Sequence, residues 1–288
     1  MTAPRIAGFS IVRNATLLDF PLEASVASVL PAVDEFVLAV GKSDDDTLAR
    51  ARAIADPRMR IIETEWDLSL GPKVLSTETN RAIAACRADW GIYIQADEVL
   101  ADGGAERLRE LIDRRHADAE IEGVVVDYLH FYGSFDVVGM SRRWYRREIR
   151  AIRLDRDIRS DGDAQGFRRG PDRRRAVSVR SNVPMFHYSS ARPPAVLQVK
   201  RAHDRTIYDT ERAKEPDRPL LPWAPGLTRF RGLHPAAVRA WVDARRGAGA
   251  QVEPPSFSLD AVRTWASLAV ERTTGWRPFE FRNYTLHK

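Results

Sequence analysis

Residues 5–130 alternate short apolar runs with stretches of helical spacing, and no other feature of this chain constrains its fold as strongly. Ile6 to Val12, Glu35 to Val40, Met59 to Thr64, residues 90–95 and Gly123 to Phe131 read as strands. Leu17 to Leu30, Thr47 to Ala55, Ser76 to Ala88 and Ala105 to Arg115 read as the intervening helices. A strand that is apolar along its whole length has to be buried on both faces, and strands separated by helices form parallel βαβ units. The pattern predicts an α/β fold: a Rossmann-like, mostly parallel sheet with helices on both faces. Such sheets bind ligands beyond the carboxyl ends of their strands. The polar clusters after the first, second and fourth strands are therefore the places to look for chemistry.

The alternation stops near Phe131, which divides the sequence into residues 1–131, 132–192 and 193–288. The middle segment carries FYGSFD, RRWYRREIR and SDGDAQGFRRG, a mixture of aromatic residues, arginines and turn formers that reads as a long active-site loop region. The last segment reads as a mainly helical extension, with helices over Pro194 to Asp209, His234 to Arg246 and Leu259 to Thr273. Charge divides along the same line. Residues 1–140 hold 14 Lys+Arg against 24 Asp+Glu, and the remainder hold 31 against 16, nearly all arginine. Arginine forks suit phosphorylated ligands, anionic lipid surfaces or nucleic acid, and a solvated Arg-rich surface equally well. The single Cys86, the absence of a signal-peptide pattern in MTAPRIAGFSIVRN and the lack of any apolar run near ~18 residues predict a cytoplasmic protein.

The sharpest local signal is WGIYIQADEVL, where an apolar strand runs into Gln95, Ala96, Asp97 and Glu98. Adjacent carboxylates at the carboxyl end of a strand suit a hard divalent cation, which takes oxygen ligands; they also suit the start of a following helix. Glu98 is expected to turn away and cap that helix, leaving Asp97 as the ligand.

Four blocks in this order resemble the family 2 glycosyltransferases, nucleotide-sugar-dependent enzymes of the GT-A type. They are SIVRNA at 10–15, GKSDDDT at 41–47, TETNRAIAACRADW at 77–90 and the DxDE-like QADE at 95–98. FYGSFD, GDAQGF and FHYSSARPP look like a bacterial branch of that family. The resemblance implies metal-assisted, inverting transfer of a sugar from a nucleoside-diphosphate sugar to an acceptor. That acceptor is a glycan, a lipid-linked molecule or a small molecule, and a lipid-linked one would bring the protein to the inner face of the membrane. Carried onto these residues, Ile11, Val12, Arg13 and Asn14 lie along the base and ribose, and Ser43 and Asp45 contact the nucleoside. Asn80, Arg81, Gln95 and Ala96 reach the ribose or diphosphate, and Asp97 holds Mn²⁺ or Mg²⁺. Two departures stand out: no acidic residue directly follows the second strand, and Gln95 replaces the first Asp of the metal motif.

His187, in PMFHYSSARPP, is the candidate second metal ligand, since some enzymes of this fold close the metal site with a late histidine; a His buried between Phe186 and Tyr188 is the alternative. Asp163 and Asp161, flanked by glycines, are the candidate general bases, against the reading of an ordinary Asp-Gly turn. Glu148 is expected to pair with neighbouring arginines, and His116 and His203 to be solvated. Trp144, Tyr145, Trp223 and Phe230 can stack on a sugar or pack in the core. A nucleotidyltransferase would need a glycine-rich loop after strand one, and FSIVRNATLL has none after Gly8; a dinucleotide oxidoreductase would need GxGxxG. A basic nucleic-acid-binding protein would need a recognition module that the sequence lacks, so no nucleic-acid partner is expected. A catalytically inactive nucleotide-sugar-binding relative stays open because of Gln95.

Overall fold

Strands β1 (Ile6–Val12), β2 (Glu35–Gly41), β3 (Met59–Thr64) and β4 (Trp90–Tyr93) form a parallel sheet in the order β3-β2-β1-β4. The structure is a computed structural model that describes residues 3–208, 221–256 and 258–287. All seven residues of β1 are buried, because the strand is flanked on both sides and covered on both faces. That is why its sequence does not alternate.

Helices α1 (Leu22–Val29), α2 (Thr47–Arg52), α3 (Lys73–Ala85) and α4 (Gly104–Arg115) make the crossovers. Two separate cores follow from the strand pleat, which sends alternate side chains to opposite faces. Ile6, Val12, Leu38 and Ile92 meet Leu22 and Val26 of α1 and Leu108 of α4 on one face. Phe9, Ile11, Val37 and Tyr93 meet Ala82 of α3 on the other. The fold is therefore α/β with helices on both faces of a mostly parallel sheet, as the alternation predicts. The first helix starts five residues later than its spacing suggests. Left-handed Asn14 and Asp19 turn the chain, and Pro21 precedes the first helical residue.

The sheet continues past Phe131. After β5 (Glu98–Leu100) come β6 (Gly123–Tyr132), β7 (Val137–Gly139), β8 (Arg147–Arg153), β9 (Ile158–Asp161), β10 (Gly166–Arg169) and β11 (Ala176–Ser190). Residues 132–190, expected as irregular loop, are thus largely strand. β8 inserts antiparallel between β4 and β6. β11 runs parallel to β6 on the far side and also pairs with β5. Period-two spacing over-reads as loop here because the inward positions carry charge. In REIRAIR, Glu148 and Arg150 are fully buried and Arg153 is nearly so. Arg153 caps the end of α4 by donating to the carbonyls of His116, Ile121 and Asp118, and lies over the Trp90 ring.

The remaining chain supplies α5 (Pro194–Ile207), β12 (Leu227–Arg229), α6 (Ala236–Asp243), α7 (Leu259–Thr274) and β13 (Tyr284–Leu286). The predicted end of the first of these helices, Asp209, lies outside the described residues. β12 pairs with β7 and β13 with β11, so this mainly helical extension is tied back to the sheet at both places.

Candidate functional site

The turns that follow β1 and β2 are stapled to each other. Asn14 takes a left-handed conformation, φ 55°, which Asn tolerates better than most residues. Its amide oxygen accepts from the Asp44 backbone at 2.8 Å, and its backbone N–H donates to Ser43 Oγ at 3.0 Å. Asp45 accepts from the backbone N–H groups of Thr16, Leu17 and Thr47 and from the Thr47 hydroxyl. Burial opposes ionisation of Asp45, but the Thr47 hydroxyl and those N–H groups outweigh it and hold the carboxyl below its ordinary value. Ile11 and Val12 are buried, so only their backbone is presented. Arg13 donates to the Lys42 carbonyl and Asp44, and meets His203 of α5 at 3.3 Å. His203 is therefore engaged rather than solvated. So is His116, which accepts from Trp90 Nε1 at 3.2 Å.

α3 places its polar residues on the other face. Asn80 uses both ends of its amide on the backbone of Ser160, at 3.0 and 2.8 Å, and so clamps β9 to the helix. Arg81 lies half-exposed, 3.5 Å from Glu78. Neither is hydrogen-bonded or ion-paired to Asp97 or His187 among the described residues. Asp161 is bonded by the Arg173 guanidinium, and Asp163 accepts from the Gln165 backbone at 3.3 Å. Gln95 Nε2 reaches the Ala164 carbonyl and the Tyr93 hydroxyl at 3.5 Å, which ties the Asp163 turn to the segment after β4.

Asp97 and Glu98 point in opposite directions. Glu98 is fully buried and does not cap α4, whose N-cap is Gly103 without a side-chain bond. It is gripped by Arg150 at 2.8 and 3.1 Å, accepts from Tyr128 Oη at 2.5 Å, and accepts the Gln95 backbone N–H at 3.1 Å. Arg150 is also fully buried and donates to the Gln165 carbonyl at 2.9 Å. A buried pair of this kind is tolerated only when the remaining donors and acceptors are satisfied, as they are here. Glu148 takes its bond from Gln165 at 2.8 Å rather than from an arginine, and burial pushes its carboxyl up to about 7.

Asp97 faces the other way, toward β11. Its Oδ2 lies 3.7 Å from His187 Nε2 and 3.9 Å from Arg192 Nη2. Burial opposes its ionisation, yet His187, Arg192 and Lys200 together hold the carboxyl well below the usual carboxylate range. His187 stands opposite His130 in the β6–β11 register, and their Nδ1 atoms are 2.8 Å apart. His130 Nε2 lies 2.8 Å from the Tyr145 carbonyl, which can only accept. His130 is thus Nε2-protonated and its bare Nδ1 accepts from His187 Nδ1–H. Burial, and then the neighbouring His187, hold the His130 ring well below its ordinary pKa and so neutral. In a neutral His187 ring the lone pair is left on Nε2, the atom aimed at Asp97.

Asp97 Oδ2 and His187 Nε2 are the two atoms here that could hold a divalent ion. A 3.7 Å separation exceeds hydrogen-bond range but is shorter than twice a metal–donor distance of about 2.1 Å. A hydrogen bond on the second ring nitrogen is what fixes a ligating histidine. Among the described residues no group of three His, Cys, Asp or Glu converges here, so the other positions fall to ligand oxygens and water. Arg192 adds a cation. It is fully buried over the Phe20 ring, with Nη1 donating to the Tyr188 and Ser189 carbonyls and Nε and Nη2 without a hydrogen-bond partner. Its Nη2 lies 3.9 Å from Asp97 Oδ2, so the buried guanidinium offsets the charge of that carboxylate.

The structure thus brings Asp97 and His187 together and knits Asn14, Ser43 and Asp45 into one turn, while Asn80 and Arg81 stand apart on α3. His130, Arg150 and Arg192 are the residues that sequence reasoning missed. A histidine at the register partner of His187 is invisible without the strand pairing.

No family model matches this chain, and no curated protein matches it. Among solved structures the chain is similar to the crystal structure of S. aureus TarS 1-349. The two share 13% identity at a TM-score of 0.40, covering 73% of this chain and 68% of that one. It is similar also to a second crystal structure of S. aureus TarS, again at 13% identity, with a TM-score of 0.41. That match covers 73% of this chain and 41% of the other.

Proposed function

We propose that this chain is a glycosyltransferase that moves a sugar from a nucleoside-diphosphate sugar to an acceptor hydroxyl, with inversion. The observation that carries the reading is the Asp97–His187 pair. It lies where the metal motif of the family 2 resemblance falls, just beyond the carboxyl end of β4, and its histidine tautomer is set by His130 and the Tyr145 carbonyl. Mn²⁺ or Mg²⁺ held by Asp97 and His187 would neutralise charge on the departing diphosphate. Arg192, buried beside Asp97, would add positive charge on the same side. The rigid Asn14–Ser43–Asp45 turn shapes the nucleoside end of the cleft, with the backbone of Ile11 to Arg13 along its floor.

In the transfer, the acceptor oxygen bonds to the anomeric carbon as the bond from that carbon to the diphosphate breaks. The hydroxyl proton passes to a carboxylate, for which Asp163, and then Asp161, are the candidates, and the nucleoside diphosphate leaves. Gln95, Ala96, Asn80 and Arg81 belong to the donor side in this reading. The second reading, a catalytically inactive nucleotide-sugar binder, is favoured by Gln95, whose uncharged amide is turned toward Tyr93 and Ala164. Among the described residues no helix is long and apolar enough to cross a membrane. A cytoplasmic site of action, with contact at the inner membrane face for a lipid-linked acceptor, goes with the transferase reading.

The test is calorimetric titration of nucleoside diphosphates with and without Mn²⁺, followed by a turnover assay. Asp97→Asn should abolish the metal-dependent part of nucleotide affinity and leave the fold intact by circular dichroism. An unchanged Mn²⁺-dependent affinity in that variant sinks the metal assignment. Binding of nucleotide sugar by the wild type with no release of nucleoside diphosphate across an acceptor panel selects the inactive relative.

A further inference from the structure

Helix α7 carries two apolar stripes, and the fold buries only one of them. Ala261, Thr264 and Leu268 face the body of the protein. Leu259, Val262, Trp265 and Val270 recur at helical spacing away from it, and all four are exposed. Exposed Ala266 and Ala269 fill the gaps between them. Beside Trp265 a cleft of about 210 Å³, lined also by Trp223 and Pro255, prolongs the apolar surface.

The segment that follows is inverted, with charged residues turned in and aromatic ones turned out. Gly275 closes the helix in the left-handed conformation, φ 71°. Arg277 is 3% exposed and donates to Glu271 and to the Met140 and Trp144 carbonyls. Glu280 accepts from Arg146 and Arg282, both at 2.6 Å. Trp276, Phe279 and Phe281, in contrast, are 61%, 88% and 55% exposed. Phe279 takes φ 56°, a left-handed conformation that a bulky residue rarely adopts. Arg142 joins the two parts of the patch: it lies 3.7 Å from Asp260 at the start of α7 and 6.0 Å over the Phe279 ring. Single exposed apolar residues are ordinary, whereas a patch of them with its charges turned inward marks an interaction surface.

The rim of the patch is cationic. Arg263 follows Leu259 by four residues and Arg272 follows Trp265 by seven, so an arginine flanks each edge of the exposed stripe. Both are exposed, and neither is ion-paired among the described residues. Glu271 and Glu280 are already neutralised by Arg146, Arg277 and Arg282. Residues 140–146 and 259–282 together hold seven arginines against three carboxylates. A two-fold contact between copies would set this excess against itself. Anionic phospholipid complements it. Aromatic rings settle at the headgroup boundary, and arginines lay their stems along apolar surface while reaching lipid phosphate.

We propose that α7 and residues 276–281 form a docking surface for an anionic phospholipid bilayer, lying along its face rather than crossing it. Docking goes beyond the transferase reading and does not require it. Residues 140–146, which hold this segment through Arg277, also supply Trp144 and Tyr145 to a cavity of about 540 Å³ at His187. A docked bilayer would therefore lie against the same connection that borders the metal pair.

The experiment is cosedimentation of the full chain with phosphatidylglycerol vesicles, against phosphatidylcholine vesicles. Phosphatidylglycerol should bind about 10–100-fold more tightly at low salt, and the difference should shrink in ~0.5 M NaCl. Trp276→Ser/Phe279→Ser changes only exposed side chains. It should bind about 10-fold more weakly with an unchanged denaturation midpoint. Arg263→Gln/Arg272→Gln should lose most of the preference for phosphatidylglycerol. Absence of vesicle binding by the wild type overturns the proposal. So does binding that both double variants retain in full, because net basic charge alone would then account for it. Sedimentation equilibrium without vesicles tests the other occupant. A monomer supports the lipid surface, and a dimer that Trp276→Ser/Phe279→Ser dissociates assigns the face to a second copy and overturns it.

Discussion

The two halves of the sheet handle polar groups in opposite ways. In the β3-β2-β1-β4 half, charge stays at the strand ends. Asp45 collects its bonds from neighbouring turns, and the strands between are apolar. In the β8-β6-β11 half, charge runs through the interior: Glu98, Glu148 and Arg150 are fully buried, Arg153 nearly so, and His130 and His187 link β6 to β11. The first half can be rigid because its turns are locally satisfied. The second half depends on partners from distant segments, and its polar groups become costly the moment one partner is removed.

Glu98→Gln should break this contrast most severely. It removes the charge that compensates Arg150 and weakens the turn that carries Asp97. A loss of about 3–5 kcal/mol in chemical denaturation is expected, the usual penalty for half of a buried pair. Asp45→Asn, in the other half, should cost about 1–2 kcal/mol, the scale of lost hydrogen bonds at a partly exposed turn. Comparable losses in the two variants would erase the distinction.

Asp163→Asn separates chemistry from folding within the second half. If Asp163 takes the acceptor proton, turnover should fall by ~10²–10⁴-fold with donor affinity unchanged, and the denaturation midpoint should barely move. Near-normal turnover in both Asp163→Asn and Asp161→Asn eliminates the pair as the base.

The most gradual effect is a pH slope. Glu148, raised by burial to about 7 from an unfolded value near 4.5, binds its proton more tightly when folded. Its stabilising contribution is complete below about pH 4.5 and is lost as pH rises to about 7, by up to ~1.4 kcal/mol per unit. Glu148→Gln puts a neutral amide at that place and should flatten the decline. A wild type and variant with parallel stability curves between pH 4.5 and 7 would show that Glu148 ionises without penalty.

The strand and helix order of residues 6–115 was legible because each element there buries an apolar face, and burial leaves a periodic trace in the sequence. The Asp97 turn was legible for a related reason: a carboxylate placed where an apolar strand ends interrupts that trace. β8 and β11 were not, because REIRAIR reads as surface to any rule that keeps charge outside, and only Glu98 makes Arg150 acceptable in the interior.

The sequence by itself determined the α/β class, the position of Asp97 and the separation of acidic and basic halves. Those follow from side-chain chemistry along a single strand of chain. Tertiary structure alone decided that Glu98 turns inward and that His130 stands beside His187 with its tautomer dictated by the Tyr145 carbonyl. Each of these joins residues far apart in the chain, from the 52 positions between Glu98 and Arg150 to the 57 between His130 and His187. Strand register and helix docking set such distances, and a local pattern carries no record of which distant strand will lie alongside.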